Sequence, residues 1–351
     1  MRGGYVLVTG GAGFIGVNIA RSALRRGERV CLFDNLSRSE VEHNASELEH
    51  EFPGRVHMIR GDVRNRHELD EVVNGASAVY HLAAQVAVTT SLDNPVDDAE
   101  TNLIGTLHLL EALRRREKQV PLLFTSTNKV YGCLADVSLR EMDLRYEPHD
   151  TSIAREGVSE KQPLQFVSPY GCSKGSADQY VLDYAHSYAI PATVFRMSCI
   201  YGDYQRGSED QGWVAHFLRQ TLKGESVTIF GDGKQVRDLL YVGDLVNAMC
   251  LAMKNMDRCA GQAFNLGGGP ANSASLLEVI QEIRAVTGLM PEIRFAGSRP
   301  GDQRWYVSNT RKASHILGWR AETSIQQGLK NLIDWYAAHP EWIAQSATQV
   351  V

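Results

Sequence analysis

Thr9-Gly10-Gly11-Ala12-Gly13-Phe14-Ile15-Gly16 decides the fold. An apolar, β-forming run, Tyr5–Thr9, leads into it, and a helix-period pattern, Gly13–Arg26, leads out. Glycines at 10, 13 and 16 divide three tasks between them. Gly10 permits the tight turn, Gly13 lets backbone approach a pyrophosphate, and Gly16 lets the helix pack closely on the strand. The helix N-terminus, including Phe14 and Ile15, then offers free N–H groups to the anion. A second strand ends in Asp34, 18 residues beyond Gly16. A carboxylate there accepts from ribose hydroxyls and repels a 2′-phosphate, so the expected cofactor is NAD. Asn35, Ser37 and Arg38 follow as donors beside the ribose or pyrophosphate. Asp62 and Val63 end the third strand where an adenine edge would lie; Asp62 can equally be a helix N-cap. Leu82, Ala83 and Ala84 end the fourth strand with side chains small enough for a cofactor to pass.

The same rhythm continues outward. Arg29–Phe33, Val56–Arg60, Ala78–Leu82, Leu122–Ser126 and Ala192–Arg196 are short apolar runs without polar alternation, suited to strands buried on both faces. Helical patterns over 67–73, 102–116 and 173–188 separate them. This alternation predicts an α/β fold: a Rossmann-type doubly wound parallel sheet in residues 1–195. Residues 196–340 should form mainly a smaller C-terminal α/β substrate domain. There the helix candidates are 213–222, 244–253, 275–287 and 325–338, with strands at 227–230 and 263–266. Segments near 237–244 are candidates for returning to the first domain, and 341–351 reads as a tail. Residues 133–168 are long and polar, and are expected to cover the substrate.

Composition narrows the class. At 351 residues, 43% hydrophobic and 22% charged, the chain is globular, and a net charge of −5 without a basic tract argues against nucleic acid or a membrane surface as partner. Arg114-Arg115-Arg116 suits a helix C-terminus. No charged leader precedes a long apolar run, and the six cysteines are scattered, so a cytoplasmic protein with reduced thiols is expected. No HExxH-like set appears, and no metal is expected.

Ser168-Pro169-Tyr170-Gly171-Cys172-Ser173-Lys174 contains YxxxK. Residues four apart share a helix face, so Tyr170 and Lys174 should point together at the cofactor. A phenol with a reference pKa of about 10 is a poor base at neutral pH. A neighbouring ammonium and a positive nicotinamide should lower it. Tyr170 could then take a hydroxyl proton while the carbon gives up hydride, and Lys174 would hold the nicotinamide ribose. The strand Leu122–Ser126 ends in Thr125-Ser126-Thr127, hydroxyls at the end of a strand that faces the ligand crevice. Thr127 is the candidate for orienting the reacting hydroxyl.

These residues together resemble the extended short-chain dehydrogenase/reductases that modify nucleotide sugars, over nearly the whole chain. Within that group the chain looks most like the CDP-paratose 2-epimerases. The stretches Gln85–Ser91, Ser126–Gly132, Ser168–Gly175, Asp210–Val214 and Gly233–Asp238 carry that likeness. The resemblance implies a Thr127, Tyr170, Lys174 catalytic set and a structural, cofactor-side Asn102. Arg237 would grip the diphosphate, and Arg299 with Asp302 the nucleotide; Gln85, Ser126 and Gln211 would also face the substrate. Cys199 departs from the Asn of many 4-epimerases. Asn128-Lys129 stands where sugar 4,6-dehydratases carry Asp-Glu, which disfavours elimination of water. The implied reaction is oxidation at C2, turning of the ketone, and hydride return, on CDP-paratose to give CDP-tyvelose, or on a related CDP-hexose such as CDP-glucose, for lipopolysaccharide or polysaccharide synthesis. The alternatives are a UDP-sugar 4-epimerase and an idle NAD-binding sensor or scaffold. A homodimer through helices near 102–116 and 173–188 is expected from the family.

Overall fold

The computed structural model describes residues 4–38, 41–299 and 301–344. Its main sheet has seven strands, β1 Tyr5–Thr9, β2 Val30–Asp34, β3 Val56–Arg60, β4 Ala76–His81, β5 Leu122–Thr127, β6 Ala192–Met197 and β7 Ala263–Leu266. All pair in parallel, in the order β7-β6-β5-β4-β1-β2-β3. The direction of winding reverses between β1 and β4, which opens a crevice at their C-terminal ends.

Period-2 alternation explains the two helix layers. Val6 and Val8 face one buried cluster, with Ile19, Leu48, Leu245 and Met249. Leu7, between them, faces the other, with Leu69, Leu109, Ala177 and Val181. Both faces of each central strand are thus covered, as apolar runs without polar alternation require.

The rest of the chain builds on this sheet. The strand Val236–Tyr241 has no counterpart among the expected strands; it pairs in parallel with Cys199–Tyr201 and Trp305–Tyr306 and antiparallel with Ser273–Ser275. A second parallel pair joins Val227–Phe230 to Ile293–Ala296. The strand 263–266 joins the main sheet as β7, and the helix Val242–Lys254 packs Leu245 and Met249 against that sheet. Residues 133–168 hold a hairpin, Leu139–Glu141 with Tyr146–Pro148, and a helix, Thr151–Glu156. Leu134, Val137 and Val158 of this segment bury against Val236, Trp305, Tyr306 and Val307, which seats it on the second sheet. The expected tail begins with a short helix, Glu341–Ala344; residues 345–351 lie outside the described residues. No described helix is long and apolar enough to cross a membrane.

Candidate active site

The glycine turn stands as its spacing requires. Gly10 has φ +66°, and a Cβ there would lie 2.7 Å from the Ala83 backbone nitrogen. A Cβ on Gly16 would strike the Gly10 carbonyl oxygen. On Gly13 it would meet only that same oxygen, at 3.3 Å. Two glycines are therefore demanded by the protein's own packing, and the third leaves its face open. Gly13 is also the N-cap of the helix Phe14–Arg25 and supplies no side-chain cap, so the first-turn N–H groups keep their donors for an anion. These features fit a dinucleotide pyrophosphate.

Asp34 closes β2. It accepts from the Ala12 and Leu36 backbone nitrogens at 3.1 and 2.9 Å, while burial raises its pKa. Asn35 donates to Asp62 at 3.0 Å, linking the ends of β2 and β3; Ser37 and Arg38 are exposed beyond it. Burial opposes ionisation of Asp62, but bonds from Arg64 and Asn35 prevail and hold it at about 2. The cap of the next helix, Arg66–Asn74, is Asn65 rather than Asp62, because the Asn65 side chain accepts from the His67 and Glu68 nitrogens. Val63 is buried beside Gly105.

At the end of β4, the Thr9 hydroxyl accepts from the Leu82 and Ala83 nitrogens and lies 2.6 Å from His81 Nδ1. Thr106 donates its hydroxyl proton to the Asn102 carbonyl, so His81 Nε2, 3.0 Å away, must be the donor in that contact. His81 is then the neutral tautomer protonated at Nε2. That agrees with burial, and secondarily Lys174, pushing its pKa down to about 3. Leu82, Ala83 and Ala84 are half-buried along the crevice.

The helix bearing the YxxxK pair begins earlier than its periodicity suggests, at Ser168, and runs to Ser187. Pro169 suits a first turn, and the Ser168 hydroxyl accepts from the Gly171 nitrogen at 3.2 Å. Tyr170 therefore sits in the first turn, at the crevice, with its own nitrogen donating to the Ser91 hydroxyl. Thr127, the last residue of β5, lies beside the Tyr170 phenol, and its hydroxyl donates to Asn128 Oδ1 at 3.3 Å. Lys174 lies one turn on, its ammonium 4.3 Å from the centre of the Phe124 ring.

The expected lowering of the tyrosine pKa is not produced by the chain's own groups. Burial pushes Tyr170 up to about 12; the Thr127 hydrogen bond opposes this, and Asp98 adds to it. Burial pulls Lys174 down to about 7, against Asp178 and Asp98. Burial outweighs the ammonium in this enclosed site, and the positive nicotinamide belongs to the cofactor.

Asn102 is 1% exposed, within a π-helical turn, Glu100–Ile104. It accepts from the Gln85 nitrogen and donates toward the Gln85 carbonyl, Asp98 and the Ser173 hydroxyl. It thereby ties the β4 loop to the catalytic helix, a structural role. Gln85 Oε1 and Ser126 Oγ are buried without partners, which suits groups awaiting a ligand.

The substrate-side residues divide into two groups. Arg237 Nη2 donates to Asp302 at 2.7 Å, and the Lys129 ammonium lies 3.3 Å from the same oxygen. Cys199, next to Arg237 and Trp213, is pushed up to about 12 by burial. Asp302 donates its backbone nitrogen to the Arg299 carbonyl at 3.3 Å, but the Arg299 side chain turns elsewhere. It pairs with Asp210 at 3.0 Å, donates to the Glu209 carbonyl and stacks 3.7 Å from the Phe230 ring centre. Gln211 is exposed in the same 208–211 turn. Asn128 is locked to Gln303, donating at 3.1 Å to its oxygen.

Sequence reasoning missed Lys129 as a partner of Asp302, and Asp98 and Ser173 as partners of Asn102. It also missed the buried pair Asp178–Arg196, bidentate at 2.9 Å for both bonds. Asp98 and Asn102 are one helical turn apart, but the other pairs are brought together only by the fold.

The NAD dependent epimerase/dehydratase family matches residues 6–267 of the chain. A CDP-paratose 2-epimerase from Salmonella typhi is 39% identical over 94% of this chain and 98% of its own. A putative UDP-glucose 4-epimerase from Methanocaldococcus jannaschii is 31% identical over 94% and 97%. The crystal structure of the Thermus thermophilus UDP-glucose 4-epimerase in complex with NAD superposes with a TM-score of 0.79 at 32% identity, covering 95% of this chain and 99% of that one. The chain belongs to the NAD-dependent epimerase/dehydratase family, and its cofactor is NAD.

Proposed function

We propose that this enzyme inverts C2 of a CDP-linked hexose, CDP-paratose to CDP-tyvelose. The observation that carries the epimerase chemistry is the convergence of Thr127, Tyr170 and Lys174 at the mouth of the glycine cradle, while Asn128 is held by Gln303 and brings no carboxyl group. Elimination of water needs an acid and a base on the substrate, and Asn128-Lys129 provides neither a carboxylic acid nor a carboxylate. The choice of CDP-paratose is supported by the near-full-length likeness to the Salmonella enzyme.

NAD, when bound, supplies a store for one hydride. Gly10, Gly13, Phe14, Ile15 and Gly16 would hold its pyrophosphate, and Asp34 with Asn35, Ser37 and Arg38 its adenosine ribose. Asp62 and Val63 would flank the adenine. Thr127 and Tyr170 would meet the sugar hydroxyl, Tyr170 taking the oxygen's proton on oxidation and returning it to that same oxygen when the turned ketone is reduced at its carbon from the other face. Lys174 would hold the nicotinamide ribose. Arg237, freed in part from Asp302, would grip the diphosphate, with Arg299 on the nucleotide. The reaction is redox-neutral overall, so the cofactor stays bound between turnovers.

A panel of CDP- and UDP-sugars followed by NMR tests the assignment. CDP-paratose should change configuration at C2, keep a deuterium placed there, and gain none from D₂O. Solvent deuterium at C2 would mean carbanion chemistry. Inversion of a UDP-sugar at C4 would select the second reading, which the likeness to two UDP-glucose 4-epimerases favours. A cytoplasmic homodimer belongs to the same reading. Leu92, Val96, Ile104, Tyr180 and Tyr188 are exposed on or beside the helices expected to pair, and light scattering of the purified protein tests it.

A further inference from the structure

Lys174 is only 3% exposed, and its surroundings are mostly uncharged. β5 presents the Phe124 ring and β4 the fully buried His81, neutral as argued above. Its own helix presents Tyr170, whose phenol is un-ionised, and Asp178, one turn on. Asp178 also raises Lys174, but both its oxygens are taken by the Arg196 guanidinium, which compensates its own burial. The helix Pro95–Ala99 presents Asp98, which is 0% exposed.

Asp98 differs from Asp178 in its partners. One oxygen accepts from Asn102 Nδ2 at 3.1 Å, and the other accepts a short bond from the Ser173 hydroxyl. Both donors are neutral, so among the described residues no bonded cation compensates its charge. A carboxylate is seldom fully buried without a cation; Lys174, next in sequence to the Ser173 that bonds Asp98, acts on it through space without a direct ion pair. Burial raises Asp98, while Ser173 and Lys174 lower it. Its neighbour Asp97 points outward to Arg64, at 2.6 Å, and does not share the task.

We propose that Asp98 is a positioning residue, the buried counter-charge that keeps Lys174 an ammonium and, through Ser173, fixes the helix that carries both Lys174 and Tyr170. The inference rests on the reading of Lys174 as a member of the working pair. It assigns no contact between Asp98 and the substrate. An ammonium is what Lys174 must be, both to donate to a ribose and to stabilise a phenolate on Tyr170.

Asp98→Asn is a clean removal of charge. An amide can turn its oxygen to Asn102 Nδ2 and its NH₂ to Ser173 Oγ, whose own proton is then released to the Tyr170 carbonyl, an acceptor 3.2 Å away. The measurement is an NMR titration of the Lys174 Cε resonance in the purified, NAD-containing protein, assigned by its loss in Lys174→Arg. Removing an anion lowers an amine's pKa. The midpoint should therefore fall by at least one pH unit in Asp98→Asn and stay near wild type in Asp98→Glu. In turnover, the alkaline limb should move to lower pH by the same amount, leaving the deficit largest at high pH and shrinking toward pH 6. A folded Asp98→Asn protein with an unmoved midpoint overturns the proposal, as does an equal shift in Asp98→Glu. If the asparagine variant does not fold, Asp98→Ser removes the same charge and is read in the same way. The titration needs no substrate, so it stands apart from the choice of sugar. Undiminished turnover in Lys174→Ala would instead remove the reading on which it rests.

Discussion

The two sides of the crevice are made from different materials. The side proposed for the cofactor is built mainly on backbone, a glycine turn, an uncapped helix N-terminus and the ends of β2 to β4 within residues 9–84, with Lys174 proposed to reach it from the later helix. The side proposed for the substrate is long side chains from distant segments. Lys129 and Asp302 meet across 173 residues of sequence, and Arg237 joins them. Backbone recognition needs little reorganisation and is written in local spacing. Side-chain recognition is adjustable one residue at a time, and it is where members of one fold can part company over substrate. Between the two stands the Tyr170 helix, which belongs to the sheet by its packing and to the substrate by its first turn.

The largest expected effect falls at that junction. Tyr170→Phe keeps the ring, which is 9% exposed, and removes only the hydroxyl. Turnover should drop by about 10²-fold or more, the usual cost of a lost general base, while NAD released on denaturation stays at the wild-type amount. Near-normal turnover in the folded variant would take Tyr170 out of the chemistry.

Next in size is a contrast within the cradle. In Gly16→Ala, the new methyl meets the Gly10 carbonyl, a backbone atom that cannot step aside. Overpacking of this kind costs roughly 1–3 kcal/mol. The stripped protein should melt lower than stripped wild type and fail to retain NAD. In Gly13→Ala, the methyl lies 3.3 Å from the same oxygen and otherwise faces open space. That variant should melt like stripped wild type yet lose NAD. Equal NAD retention in Gly13→Ala would show that the open face is not where the pyrophosphate lies. Both proteins must be compared without cofactor, because bound NAD itself raises stability.

This contrast also explains what could be read in advance. Six main-sheet strands, except for their end residues, follow in place from apolar runs, five of them largely buried and β3 half-exposed at the edge; 263–266 follows as a strand, but of the smaller domain. The Val236–Tyr241 strand escaped because Arg237 and Asp238 break its apolar run, though both are buried in the structure. The start of the Tyr170 helix escaped because Ser168 and Pro169 look like a loop, and a positive φ at Ser168 is not written in residue type. The cradle and the Tyr–Lys pair were legible because their chemistry fixes a spacing. Asp98 was not legible, because a lone aspartate beside another in Asp97-Asp98 reads as a solvated face; burial decides which of the two faces inward.

The smallest expected effects lie on the substrate side, where two arginines assigned by resemblance sit in unlike settings. Arg237 is 8% exposed and already shares an anion, Asp302, with Lys129. A substrate diphosphate would offer it a stronger partner of the same sign. Losing a hydrogen bond between charged groups costs roughly 1.5–3 kcal/mol, or about ten- to a hundredfold in affinity. Arg237→Ala should therefore raise KM by about that factor with kcat little changed, because the contact is made equally in ground and transition states. Arg299 is tied to the 209–210 turn and to the Phe230 ring. If its part is to shape that turn around the nucleotide, its loss costs an exposed cation–π contact, roughly 0.5–1 kcal/mol, and KM rises about two- to fivefold. Steady-state kinetics on the active nucleotide sugar measure both. A larger KM effect in Arg299→Ala than in Arg237→Ala would move the diphosphate away from the Lys129–Asp302–Arg237 cluster and toward the 208–211 turn, reversing the order of the two sites while leaving the cofactor side untouched.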